Sequence, residues 1–241
     1  MRGAPRLDGF TAFTLAIGAL LLGLGSWQLE RLDWKQALIA ERAVRLAAPP
    51  LPLPPSATTP EVPGALDFRR VELSGRYRHQ DELLLVAPSI RGHAGYHVVT
   101  PLERPGGDLV LVSRGWIPYR LRAPESRAEG QIEGLVSITG IARAGGRQGL
   151  FVPDNEPENG LWYWRDLEGM AAHLGYEVAP VLVEAGPEPN PGGYPVGGQT
   201  WARLPNDHLG YALTWFALAA ALIVVYLIRR RKWARGDGGG R

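Results

Sequence analysis

The sequence predicts an α+β membrane protein in which two transmembrane helices flank a β-rich antiparallel extracytoplasmic domain of barrel or sandwich type. Three observations carry this. Phe10 to Leu29 and Leu209 to Ile228 are uncharged apolar stretches near the two ends, each of about 20 residues and so long enough to cross a hydrocarbon core of about 30 Å at about 1.5 Å per residue. Between them lie short segments of period-two alternation separated by turn residues. Charge is uneven: residues 1–29 and 229–241 hold eight Lys/Arg against two acids, whereas residues 30–208 hold eighteen against twenty-two.

Residues 1–9 are read as a cytoplasmic N-terminus and 10–29 as transmembrane helix 1. A cleaved signal peptide is the competing reading, but Gly25-Ser26-Trp27-Gln28-Leu29-Glu30 is a poor cleavage site, which favours an uncleaved anchor. Trp27, Arg31, Trp34 and Lys35 recur at helical spacing, extending the helix past the lipid to about Leu46 with its tryptophans at the interface. Seven of the fifteen residues from Pro49 to Pro63 are proline, so residues 30–67 are read as a helix extension followed by a stiff spacer.

Residues 68–185 form the predicted β-rich domain, in the periplasm of a bacterium or the equivalent space of an organelle. Val71 to Tyr77 alternates apolar or small with polar positions, and further strands are expected at Glu82 to Ala87, Tyr96 to Leu102, Leu109 to Arg114, Leu135 to Ile141, Leu161 to Trp164 and Val181 to Glu184. Pro105-Gly106-Gly107-Asp108 reads as a hairpin turn. Asp166 is a helix N-cap candidate and Gly175 the stop of the helix it opens. Residues 186–208 are a Gly/Pro-rich return linker, 209–228 transmembrane helix 2, and 229–241 a basic tail. Arg229 to Lys232 marks that tail as cytoplasmic, which places both termini in the cytoplasm and the middle of the chain outside. Ala19 with Gly23, and Ala217 with Ala221, are small residues four apart that suit a close contact between the spans.

Several chemistries find no support. Without cysteine there are no disulfides, thiolate metal sites or cysteine nucleophiles. The acidic middle segment shows no basic stripe with interleaved aromatics, so nucleic acid is not an expected partner. No P-loop, dinucleotide or nucleophile-elbow pattern occurs. His93 and His97 are four apart but sit among glycines and strand formers, without a third ligand nearby. His79 and His173 stand alone, as surface or satisfied polar positions. Arg114 and Trp116 are read as holding a strand end or facing a partner protein.

His208, at the threshold of the second span, is the exception. An ionisable, metal-ligating side chain at a membrane edge is a functional-site hypothesis by default, and helical spacing puts it on one stripe with Tyr211, Trp215 and Leu218. An imidazole beside two aromatics suits a flat apolar ligand centred on iron; an interfacial histidine next to an aromatic belt fits the same residues.

Seven blocks occur in a particular order: Trp27-Gln28-Leu29-Glu30-Arg31 with Lys35; Gly75-Arg76-Tyr77; Gly95 to Leu102; Val112 to Pro118; Pro153-Asp154-Asn155; Trp162 to Leu167; and Asn206 to Phe216. In this order, between two terminal spans, they resemble the Surfeit locus protein family of cytochrome c oxidase assembly factors, of bacterial type, over nearly the whole chain. The resemblance implies a non-enzymatic chaperone of the respiratory chain in the bacterial inner (plasma) membrane, binding haem a transiently and assisting its insertion into oxidase subunit I. Haem a synthase is a further expected partner, with membrane lipid. The family's histidine at the start of its second span falls on His208, the implied axial ligand of the haem iron. Tyr211 and Trp215 would line the macrocycle, Trp27 and Gln28 would close its other side, and Arg31 or Arg203 would pair with the propionates. The alternative is a membrane scaffold that stabilises oxidase intermediates through protein contacts without binding haem.

Overall fold

The structure, a computed structural model, describes residues 8–54, 62–90, 93–200 and 206–236. It divides into two compact units, one of Met1–Glu41 with Arg203–Arg241 and the other of Arg42–Ala202.

The first unit contains helix α1, Gly9–Ala47, whose last residues belong to the second unit, and helix α4, His208–Gly236. Both have stretches long and apolar enough to cross a membrane. They pack antiparallel. Phe10 stacks on Tyr226 with ring centroids 6.0 Å apart, Thr11 Oγ1 and Tyr226 Oη are 3.1 Å apart, and the Arg229 guanidinium lies 3.9 Å above the Phe10 ring. Farther along, Gly25 accepts the Phe216 ring so closely that a Cβ would sit 2.6 Å from it. The predicted small-residue pairs Ala19/Gly23 and Ala217/Ala221 are exposed, and the buried positions are instead Thr14, Gly25, Ala212 and Ala219. A spacing of four names a stripe but not which stripe; here the bulk of Phe216 decides, because only a glycine gives it room.

The second unit holds β1 (Leu51–Pro52), α2 (Val62–Leu66), β2 (Arg70–Tyr77), β3 (Leu83–Ile90), β4 (His93–Glu103), β5 (Leu109–Pro118), β6 (Val136–Ala144), β7 (Leu161–Trp162), α3 (Leu167–Leu174) and β8 (Val181–Ala185). They form one sheet in the order β1-β2-β6-β8-β5-β4-β3-β7, and β2 also pairs with β4 through Arg76↔Glu103 and Tyr77↔Leu102. That second pairing closes β2, β6, β8, β5 and β4 into a small, partly open five-stranded barrel of the OB-fold type. The expected antiparallel pairing holds for β2–β4, β2–β6, β3–β4, β4–β5 and β6–β8, while β1–β2, β3–β7 and β5–β8 are parallel.

Alternation explains the core. Val71 and Leu73, Val110 and Val112, and Val181 and Val183 fill the barrel with Leu102 and Ala142. The intervening Leu111 and Leu182 face outward, where Val99, Trp162, Leu167 and Met170 cover them. Because β5 is covered on both faces, its run Leu109–Trp116 is buried throughout. Helix α3 has the predicted ends: the Asp166 carboxylate accepts the Gly169 N–H at 3.0 Å, and Gly175 stops the helix at φ +75°. The 105–108 turn closes with the Gly107 N–H on Arg104 O at 2.8 Å. The proline-rich segment departs from the spacer reading. Leu51 and Pro52 pair with β2, Leu53 is buried in the barrel core, and residues 62–66 form a helical turn, so this stretch is part of the folded unit; residues 55–61 lie outside the described residues. Prolines are tolerated in β1 because it is an edge strand, with no sheet neighbour beyond it among the described residues.

Candidate functional site

Helix α4 begins at the predicted histidine, and its first backbone bond runs from the Tyr211 N–H to Asp207 O at 3.2 Å. His208 therefore stands in the first turn, and the antiparallel packing brings Gln28 of α1 beside it. The His208 Nδ1–H donates to Gln28 Oε1 at 2.7 Å. A short bond to a carbonyl oxygen holds a proton on Nδ1, so that in the neutral ring Nε2 carries the lone pair. Histidines that ligate metals are held in this way, with the second ring nitrogen bonded to a carbonyl or carboxylate that sets tautomer and orientation. The donor set thus fits an axial haem ligand.

The other predicted residues divide. Trp27 and Tyr211 are exposed, at 50% and 57%, while Trp215 is half-buried. The Arg31 guanidinium stacks 4.2 Å over Trp34, an arrangement that leaves its N–H edge usable. Arg203 lies outside the described residues. Of the predicted set, the structure joins His208 directly to Gln28.

A second polar cluster, in the β-rich unit, was not read as a unit from the sequence. Arg114 is 1% exposed, with its guanidinium 4.6 Å from the Tyr77 ring and bonded to Gly130 O. Arg127 donates to Glu82 Oε2 at 2.7 Å and Oε1 at 3.2 Å and to Leu121 O at 3.1 Å. Glu82 Oε1 lies 3.5 Å from Arg114 and 3.6 Å from His79 Nδ1, whose Nε2 donates to Ile132 O at 2.8 Å. Burial pushes the Glu82 carboxyl up, but the contact with His79 and the two guanidiniums outweigh it and bring its pKa down to about 2. Arg114 reaches this cluster from a β-bulge: Val98 pairs with Gly115 and Val99 with Ser113, so Arg114 is the extra residue. Gly115 has φ +133°, and a Cβ there would lie 2.2 Å from Val196 O, which explains the glycine. Only the bulky cation within an apolar strand hinted at this network, since its members are far apart in the chain. His97 lies in β4 and is separately desolvated; burial holds its pKa below the usual imidazole value.

Comparison with known proteins gives one consistent result. The sequence profile described as "SURF1 family" matches residues 15–220. The chain is 36% identical over 236 residues to a "SURF1-like protein" of Monosiga brevicollis, covering 93% of this chain and 88% of the relative. To "Surfeit locus protein 1" of Homo sapiens it is 36% identical over 249 residues, covering 96% and 80%. To that of Mus musculus the identity is 38% over 224 residues, covering 87% and 72%.

Proposed function

The chain belongs to the SURF1 family, and from that premise we propose that it is an assembly factor for cytochrome c oxidase that binds haem a and assists its insertion into subunit I. The observation that carries the haem reading is the 2.7 Å bond between Gln28 Oε1 and His208 Nδ1, which prepares Nε2 as an iron ligand. Haem a, when bound, supplies the iron that accepts this lone pair and the apolar macrocycle. Trp27, Tyr211 and Trp215 offer that macrocycle aromatic surface, and Arg31 and Arg203 offer its propionates positive charge. Handing on a cofactor exchanges its ligands without converting it covalently, so the protein acts as a chaperone and not as an enzyme. Subunit I receives the cofactor, and haem a synthase is the source with which handover is coupled.

In the same proposal, α1 and α4 cross the bacterial inner membrane with both termini cytoplasmic and the β-rich unit on the periplasmic side. The cluster Arg229 to Lys232 supports this orientation. The test is co-expression with the haem a biosynthetic enzymes, purification and an absorption spectrum. The wild type is expected to carry haem a and the His208→Ala variant to lose it. Equal haem content in the two would remove His208 as the ligand. A haem-free wild type that still co-purifies with oxidase subunits would leave the scaffold role.

A further inference from the structure

Between β6 and β7 the chain makes a braced turn with an unusual tip. The Val152 N–H donates to Gly149 O at 3.1 Å, and Gln148 Nε2 donates to Val152 O and to Asp154 Oδ1, each at 2.9 Å. At the tip, Leu150 and Phe151 are 90% and 93% exposed, and among the described residues the next most exposed large apolar side chain is Val44 at 71%. Single exposed hydrophobic residues are ordinary. Two adjacent bulky ones, held outward by three hydrogen bonds, form a wedge whose apolar area is fully presented to whatever lies outside the fold.

We infer that the Leu150–Phe151 tip is a lipid anchor that enters the boundary between headgroups and acyl chains of a bilayer. Both ends of the unit that carries it lead into helices long and apolar enough to cross a membrane, so the unit is tethered at both ends to whatever bilayer those helices enter. The size of the tip also favours lipid. Two side chains bury far less than the about 800 Å² per partner of a stable protein interface, whereas an acyl layer needs no complementary socket and rewards buried apolar area alone. The flanking charge selects the lipid: residues 147–158 carry Arg147 against Asp154, Glu156 and Glu158, so the turn suits zwitterionic headgroups better than anionic ones. This inference rests on the reading of α1 and α4 as membrane spans and is independent of haem binding.

The absence of cysteine makes the test direct. Single cysteines are introduced into the full chain as Phe151→Cys, Glu125→Cys and Val224→Cys, spin-labelled, and reconstituted in phosphatidylcholine nanodiscs. Collision with oxygen, which partitions into lipid, is compared with collision with an aqueous nickel chelate. The oxygen-to-nickel ratio at 151 is expected to be several-fold above that at the polar position 125 and to approach that at 224 on α4, falling when phosphatidylglycerol replaces phosphatidylcholine. A label at Arg147→Cys, which keeps the native tip, is expected to show a raised ratio that drops to the value at 125 when Leu150 and Phe151 are both changed to Ser. A water-like ratio at 151 with a lipid-like one at 224 overturns the anchor and leaves the spans standing; water-like ratios at both overturn the spans as well. A label at 151 shielded from both reagents means that protein covers the tip, and overturns lipid insertion.

Discussion

At the scale of single residues, the proposed haem site and the stability of the fold rest on two buried or half-buried polar groupings of different character. The Gln28–His208 bond is an orienting contact. Gln28→Ala is expected to keep the ligand but lose its tautomer control, weakening haem retention by about 10- to 100-fold relative to wild type, measured by haem titration and absorption. Gln28→Glu, which keeps an acceptor oxygen, is expected to restore binding. The Glu82 cluster is a stability element. Its carboxyl titrates at about 2 in the fold against an ordinary 4.5. The ionised form is therefore favoured by folding: its contribution is complete above about pH 4.5 and is lost as pH falls toward 2. The linkage is worth on the order of 3 kcal/mol. Urea midpoints measured between pH 7 and pH 2 are expected to decline in this window. In the Glu82→Gln variant the stability at pH 7 drops by about 3–5 kcal/mol for a buried cation left unpaired, read as a lower urea midpoint, and the decline in the acid flattens.

At the scale of elements, two glycines set how neighbouring segments approach. Gly115 combines a positive φ with a Cβ direction blocked by Val196 O. Gly115→Ala must therefore shift β5 away from the 196–197 backbone and disturb the bulge that delivers Arg114 to Glu82. The expected loss is about 3 kcal/mol or more, at the upper end of single substitutions, seen as a lowered Tm of the β-rich unit. Gly25 plays the corresponding part between α1 and α4, where the Phe216 ring occupies the space of its Cβ. Gly25→Leu is expected to separate the two helices and with them Gln28 from His208, so haem content falls although neither site residue has changed. The double variant Gly25→Leu with Phe216→Ala reopens the space and is expected to recover part of that content.

At the scale of the whole molecule, the unit Arg42–Ala202 has its own barrel core and its own buried ion pairs. Expressed alone, it is expected to unfold cooperatively in urea and to bind no haem, because Gln28 and His208 both belong to the other unit. A haem-binding fragment 42–202 would relocate the site. Much of this architecture was legible in the sequence. The strands at Val71–Tyr77 and Tyr96–Leu102 were legible because a half-buried strand writes its two faces into alternate residues. Helix α3 was legible because Asp166 and Gly175 cap it by local hydrogen bonding and local φ. The docking of Leu51–Leu53 was not, since a proline-rich run looks the same whether it floats or pairs along an open sheet edge.

By itself the amino-acid sequence determined the features that local forces control: the two apolar helices, the order of strands and turns, the caps of α3, and a histidine at the start of the second apolar helix. Tertiary structure decided the rest. It paired β5 with β8 in parallel, closed the barrel through β2 and β4, turned α1 and α4 so that Gly25 and not Gly23 receives the neighbouring helix, and set Gln28 beside His208 across 180 positions of chain. The physical reason is that periodicity and capping act within a few residues, whereas the partner of a buried charge or an imidazole is chosen by packing, which brings together groups that no local pattern connects.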